Sequence, residues 1–266
     1  TSYYDELILL RAGYYSQQQM LGKIESAINY VEGSEGSRVQ PLAHASFDAW
    51  VKAYRPNENS SNTSMSYYSR GSIIAALMDV MIIKNHKGKK CLDDFLQSLY
   101  SKFYENKGRG FSSEEFKKEL ESFVGKNLDD FYAKYIDGTE IPPYSKIFGQ
   151  MGINVQDVSK TYPDFGAVLT NSGGKTIIKS IRSKSAAEDA GLSVNDEIIG
   201  CNGYRVGKGD IESVMKSLNE GDEIDLLISR DEILFSIEFK MTNRFKPKFY
   251  LSITNEKPKL LNYWLR

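Results

Sequence analysis

The side chains that could do chemistry here are few, and their spacing removes most of the possibilities. His44 and His86 are the chain's histidines, and Cys91 and Cys201 its cysteines. Two cysteines cannot build a disulfide framework or a four-cysteine zinc site, and no carboxylate pattern surrounds the histidines. Gly174-Lys175-Thr176 suggests a phosphate loop. That motif needs a glycine five positions before Gly174, where Leu169 stands, and a long helix after Thr176, which is missing. Asn171-Ser172-Gly173-Gly174 between two apolar runs is instead a hairpin connection. Asn59-Ser60-Ser61 and Asn62-Thr63-Ser64 fit the glycosylation sequon, which has meaning only in a eukaryotic secreted protein. Asp93-Asp94 and Asp129-Asp130 lie near helix starts with no third ligand close by, and they read as complements to helix dipoles.

The elements that must position these groups fall into two kinds. Residues before about 140 read as helices. Tyr3, Leu7, Leu10 and Tyr14 share one face, with Gly13 able to end that helix. Ser16-Gln17-Gln18-Gln19 is a capping box for a helix carrying Met20, Ile24, Ala27, Ile28 and Val31, followed by a loop at 32–37. A short helix over 46–53 carries Phe47 and Trp50, and 55–64 is a polar loop. Residues 66–84 form a buried helix, and 92–103 an amphipathic one. Ser112-Ser113-Glu114-Glu115 opens the next, with Gly125 as its cap, and a last helix runs from Asn127 to Gly138. Pro142 and Pro143 break the pattern as a linker. Beyond it the apolar period becomes two, at 165–170, 176–181, 197–201, 223–229, 234–240 and 245–253, with helices at 186–190 and 210–218 between them. Lys259–Leu265 could be a terminal helix.

Composition bounds the function. The 266 residues suffice for one or two cores, and 34 basic against 35 acidic side chains leave a net charge of -1. A general nucleic-acid binder would need a basic surplus, so none is expected. The longest apolar run, Ile73–Ile83, is interrupted by Asp79 and is too short for a membrane span. No signal or transit peptide is visible, and a chain that begins inside a helical pattern is expected to derive from something longer.

The second region carries a specific pattern. Ser185-Ala186-Ala187, then Ala190-Gly191-Leu192, Asp196-Glu197-Ile198-Ile199, Asn202-Gly203 and later Gly221-Asp222 closely resemble the PDZ family in its bacterial protease-associated form. A glycine in a tight loop lets backbone N–H groups converge on a terminal carboxylate, and an open strand edge accepts a peptide as an added strand. The resemblance makes Phe165, Gly166, Ala167 and Val168 the carboxylate loop and 210–218 the groove helix. Phe165, Val168, Val214 and Leu218 are expected to line the pocket for a peptide's terminal side chain, unless 245–253 or the tail to Arg266 covers the groove. Ala167-Val168 departs from the usual loop.

The first region also resembles a known family. Thr1–Leu7, Ser46–Lys52, Tyr54–Ser60, Ser66–Gly71 and the ending Asn255–Arg266 look like the glycyl-aminopeptidases, zinc metallopeptidases with a thermolysin-like catalytic domain followed by a PDZ domain. The resemblance implies a multidomain fold. An all-α helical lobe of a thermolysin-like peptidase domain, residues 1–140, precedes a PDZ-like β-rich (α+β) domain, residues 145–243, and a C-terminal tail, 244–266. In the family, zinc is held by an H-E-x-x-H helix and by a Glu shortly before the Thr-Ser-Tyr-Tyr that opens this chain. Zinc is therefore expected in a full-length parent; none is expected here, where no metal ligand is assigned and inactivity is expected. Tyr68, in Tyr68-Ser69-Arg70-Gly71, matches the family's Tyr-x-Lys/Arg-Gly and would hydrogen-bond the oxyanion of a tetrahedral intermediate, with Tyr67 as the competing candidate and Arg70 structural. The implied partners are a peptide or protein substrate, the N-terminal part of the same protein and a peptide C-terminus in the PDZ groove. A periplasmic or secreted location is expected over a cytoplasmic one. The alternative reading is a stand-alone peptide-binding PDZ module on a helical scaffold without catalysis.

Overall fold

The computed structural model describes residues 1–254 and 259–266. Of the ending that resembles the peptidases, residues 255–258 lie outside the described part.

Helices α1 (Ser2–Arg11) and α2 (Gln17–Glu32) pack on α6 (Tyr67–Asn85). The expected box closes the start of α2: Ser16 Oγ accepts from Gln19 N–H, and Ser16 N–H donates to Gln19 Oε1. Ile73, Ile74, Leu77, Val80, Ile82 and Ile83 of α6 are all buried, each contributing about 1.5–3 kcal/mol of apolar transfer. Short helices α3 (Leu42–Phe47), α4 (Ala49–Lys52) and α5 (Ser60–Thr63) lie between α2 and α6. The helix expected over 46–53 is thus two helices that meet at Asp48. Phe47 and Trp50 are exposed, and the polar loop contains a helical turn. The loop expected after α2 holds a 3₁₀ turn, Glu35–Arg38.

Helices α7 (Leu92–Leu99), α8 (Ser113–Val124) and α9 (Asp129–Tyr135) complete this layer. The helix expected to reach 103 leaves the α form at Tyr100 and continues as a π stretch to Glu105. The second box forms as expected, with Gly125 left-handed behind it. No strand precedes residue 140 among the described residues. Nor is any described helix long and apolar enough to cross a membrane.

After the prolines the chain does not leave this core at once. Helix α10 (Tyr144–Phe148) and strand β1 (Ile153–Asp157) bury Tyr144, Phe148, Met151 and Ile153 in the helical cluster. Strand β2 (Lys160–Pro163) leads away. The second core is built on β3 (Ala167–Ser172), β4 (Lys175–Ile181), β5 (Glu197–Cys201), β6 (Tyr204–Arg205), β7 (Glu223–Arg230) and β8 (Ile233–Lys240). Their antiparallel order is β3-β4-β5-β7-β8, with β6 paired to β5. Helix α11 (Ala186–Asp189) and helix α12 (Lys208–Ser217) cover this sheet. The expected hairpin joins β3 to β4. Gly173 and Gly174 both have positive φ, as its two-residue turn requires.

The return path mirrors the exit. Strand β9 (Asn243–Lys246) pairs β2, and β10 (Phe249–Ile253) pairs β1. The single strand expected at 245–253 is therefore two strands around Pro247, which has no N–H to donate. Helix α13 (Lys259–Trp264) then returns to the helical core, where Leu261, Trp264 and Leu265 are buried.

Candidate active site

Ser66 caps α6, its Oγ accepting from Ser69 N–H at 3.2 Å, and so fixes Tyr67 and Tyr68 in the first helical turn. Their rings lie side by side, centroids 4.2 Å apart. Tyr54, just beyond α4, meets both: its hydroxyl is 3.0 Å from Tyr67 Oη and 2.5 Å from Tyr68 Oη. Trp50 packs on Tyr54 at 5.1 Å. The hydrogen bond shared with Tyr67, and next the one shared with Tyr68, pull the Tyr54 phenol below its ordinary value. The bond to Tyr54 pushes the Tyr67 phenol above its own.

This phenol cluster stands between two cavities. One, of about 440 Å³, is walled by Tyr3, Glu6, Lys23, Tyr30 and Tyr68. The other, of about 600 Å³, is walled by Tyr30, Lys52, Tyr54, Tyr67, Tyr68 and Lys246. Tyr68 faces both, whereas Tyr67 faces the second alone of these two. Sequence reasoning missed Tyr54. Its phenol matters through a contact made across the loop between α4 and α6, and three tyrosines within fifteen positions are the only trace of it. Arg70 is buried and donates to Glu140 O at 2.8 Å, in keeping with a structural role.

His86 and both cysteines are taken up by the fold, and His44 is exposed. His86 Nε2 donates to Phe123 O at 2.7 Å, and both cysteines are buried. Among the described residues no group of three or more His, Cys, Asp or Glu side chains could hold a metal ion. These residues do not fit a zinc centre. Of the acidic pairs, Asp94 caps Cys91 N–H and Asp93 binds Tyr4 and Arg11.

In the second region β3 is an edge strand, paired only with β4 among the described residues, and α12 packs beside it. Gly166 (φ +86) cannot be replaced cheaply, because a Cβ there would come within 2.1 Å of Ser185 Cβ. Ala167, Leu169, Val214 and Leu218 gather on the core side of β3. Of the expected pocket residues, Phe165 shares the apolar cluster of Val214 and Leu218, and Val168 lies outside it. Phe165 is buried in the core and stacked on Phe239 at 5.5 Å. Val168, 56% exposed, points to the opposite face because side chains alternate along a strand. It lines a cleft of about 230 Å³ with Glu35, Asn62, Asp164, Arg182 and Arg244. Neither the 245–253 segment nor the described tail covers β3, since both are spent on β1, β2 and the helical core.

That cleft is where the two regions lock together. The Asn62 side chain donates to Ile181 O at 2.7 Å and accepts from Ser183 N–H at 3.0 Å. Arg244 reaches Glu35 at 3.1 Å and Gly33 O at 3.0 Å. Asn62 is buried, so the second sequon is a clamp in this fold.

Comparison with known proteins agrees with this division. Residues 1–74 match the M61 glycyl aminopeptidase family and residues 149–241 the PDZ domain family. The fold is similar to that of an aminopeptidase N family protein from Idiomarina loihiensis. The TM-score is 0.82 and the identity 23%, over 100% of this chain and 47% of that one. A probable CtpA-like serine protease from Staphylococcus saprophyticus is 26% identical over 143 residues, covering 53% of this chain and 26% of that protein. The chain thus spans less than half the length of either relative. Its first 74 residues are similar to the M61 glycyl aminopeptidase family and residues 149–241 to the PDZ domain family.

Proposed function

We propose that this chain is the C-terminal portion of a peptidase that hydrolyses peptide bonds at small N-terminal residues such as glycine, and that its helical lobe forms one wall of the substrate cleft. The observation that carries this reading is the phenol of Tyr68 at the first turn of α6, on the wall of two cavities. A tetrahedral intermediate gathers negative charge on one oxygen. A neutral O–H donor aimed at it, near the positive end of a helix dipole, favours the transition state over the ground state. Zinc is proposed for the complete protein only, on ligands outside this sequence, and no step is derived through it. A periplasmic or secreted location belongs to the same proposal.

The PDZ domain is proposed to take a peptide C-terminus as an added strand along β3. Gly166 and Ala167 supply the loop, and Val214 and Leu218 the apolar wall.

In the full-length protein, Tyr68→Phe should lower kcat by about 10²–10³ and leave KM nearly unchanged, the signature of a bond made only in the transition state. Steady-state hydrolysis of glycyl peptides measures this. Unchanged kcat in Tyr68→Phe with a loss in Tyr67→Phe would transfer the role to the neighbour. No loss in either would end the peptidase reading of this site.

A further inference from the structure

Tyr54, Tyr67 and Tyr68 share hydrogens in a way that can be counted. Each phenol carries one O–H. Tyr54 Oη bonds both of the others, at 3.0 and 2.5 Å, and two bonds use two of the three hydrogens. One O–H is always left over. If Tyr54 donates to Tyr68, Tyr67 must donate to Tyr54, and the spare hydrogen is on Tyr68. If Tyr54 donates to Tyr67, the spare hydrogen is on Tyr67. If Tyr54 donates to neither, it keeps its own. The rings are held for this exchange by the tilted contacts of Tyr67 with Tyr68 and of Trp50 with Tyr54.

We infer that the three phenols work as a single donor unit in which Tyr54 is a positioning residue: by donating to Tyr68, it frees the Tyr68 O–H for a developing oxyanion. This rests on the peptidase reading of the site. Negative charge beside Tyr68 selects the run Tyr67 to Tyr54 to Tyr68, because only that order points a hydrogen at it. Bonds aligned in one direction polarise one another, so the last donor is stronger than a lone phenol. The shorter of the two bonds, 2.5 Å against 3.0 Å, is the one on the Tyr68 side.

Two measurements test the unit separately from the activity. In this chain, labelled with ¹³Cζ-tyrosine and titrated by NMR, each phenol is assigned from its own Phe variant. Tyr54→Phe should bring the raised ionisation of Tyr67 down, and unchanged titration of Tyr67 would overturn the unit. Tyr54 is 51% exposed, so the variant should fold; 3-fluorotyrosine at 54, which keeps ring and hydroxyl but acidifies the phenol, gives a second route to the same readout. In the full-length protein, Tyr54→Phe should lower kcat about fivefold at unchanged KM, the worth of one ordinary hydrogen bond. Normal kcat in Tyr54→Phe beside a crippled Tyr68→Phe would also overturn the unit. Full activity in Tyr68→Phe with coupled titration intact would instead sink the peptidase reading and leave the cluster standing.

Discussion

The helical lobe and the PDZ domain each bury one aspartate completely out of solvent's reach, and they settle the cost in opposite ways. Asp79 interrupts the apolar face of α6 and forms no ion pair among the described residues, Arg11 acting on it only from a distance. Neutral donors serve it: Tyr3 Oη–H at 2.6 Å and Leu92 N–H at 2.8 Å, while Trp264 Nε1–H donates in turn to Tyr3 at 2.8 Å. Burial pushes its carboxyl up to about 6. Asp196 instead faces Arg230, whose Nε and Nη2 reach its two oxygens at 2.7 and 2.8 Å, with Ser193 N–H at 2.7 Å. The helical lobe uses its carboxylate as a hub that ties its first helix to its last. The PDZ domain uses a local ion pair that fixes the turn before β5. A hub without a counter-charge in contact favours the protonated acid, so the lobe should respond to mild acid through Asp79.

The largest effect should follow loss of the hub. Asp79→Ala strands the Tyr3 hydroxyl and Leu92 N–H, and should cost about 3 kcal/mol at pH 7. The sign of its pH dependence is fixed. The folded carboxyl titrates above its ordinary 3.8, so its contribution is full below that value and is lost as pH rises to about 6. The destabilisation by Asp79→Ala should therefore be larger at pH 4 than at pH 7. Urea unfolding followed by tryptophan fluorescence reads the lobe alone, because Trp50 and Trp264 both belong to it.

Asp196→Ala should come next, at about 2 kcal/mol. Breaking a buried pair is costly, but the Arg230 side chain is 35% exposed and recovers water. Hydrogen exchange of β5 and β7 should accelerate while the tryptophan transition stays in place. If that transition shifts equally, the two regions unfold as one and the contrast between them disappears.

Asn62→Ala removes both side-chain bonds of the clamp and should cost about 1–2 kcal/mol. It should also raise exchange at Ser183 N–H. No change there would mean that the remaining contacts, Arg244 among them, hold the regions together unaided.

The smallest effect concerns the groove. Val168→Ala should leave stability within about 0.5 kcal/mol and peptide affinity unchanged, as expected of an exposed site away from the apolar wall. Val214→Ala should weaken peptide binding about fivefold, in line with the loss of a partly buried apolar contact. Equal weakening by both would put Val168 back in the pocket.

Local signals were the legible ones. The boxes at Ser16 and Ser112, the turn at Gly173-Gly174 and the left-handed Gly125 follow from neighbours in sequence, and the structure has them all. Tyr68 and Tyr67 were reached by resemblance, and the structure sets both beside cavities. What stayed hidden depends on distant partners. Strand β1 is short, and its partner lies about a hundred residues away, with Val155 opposite Leu251. Helix α10 follows two prolines and shows no long period. Val168 and Phe165 were placed in one pocket from the loop motif, but alternation along β3 sends Val168 to the far face and the core claims Phe165. The break at Asp48 leaves α3 and α4 too short to show which side of them faces solvent.

The paired exit and return of the chain have a practical meaning. Pro163 and Asn243 are direct partners in the β2–β9 ribbon, and Asp164 N–H donates to Thr242 O at 3.0 Å. The PDZ domain is thus spliced into the helical lobe like a loop that has grown to a domain, on two antiparallel rails of backbone. Its two ends leave from one point. A two-residue turn such as Asn-Gly, joining 163 directly to 243, would close that ribbon as an ordinary hairpin. The lobe, whose first and last helices meet at Tyr3 and Trp264, would keep its core without it. Evolution or an engineer could exchange the inserted domain at that junction without redesigning the lobe.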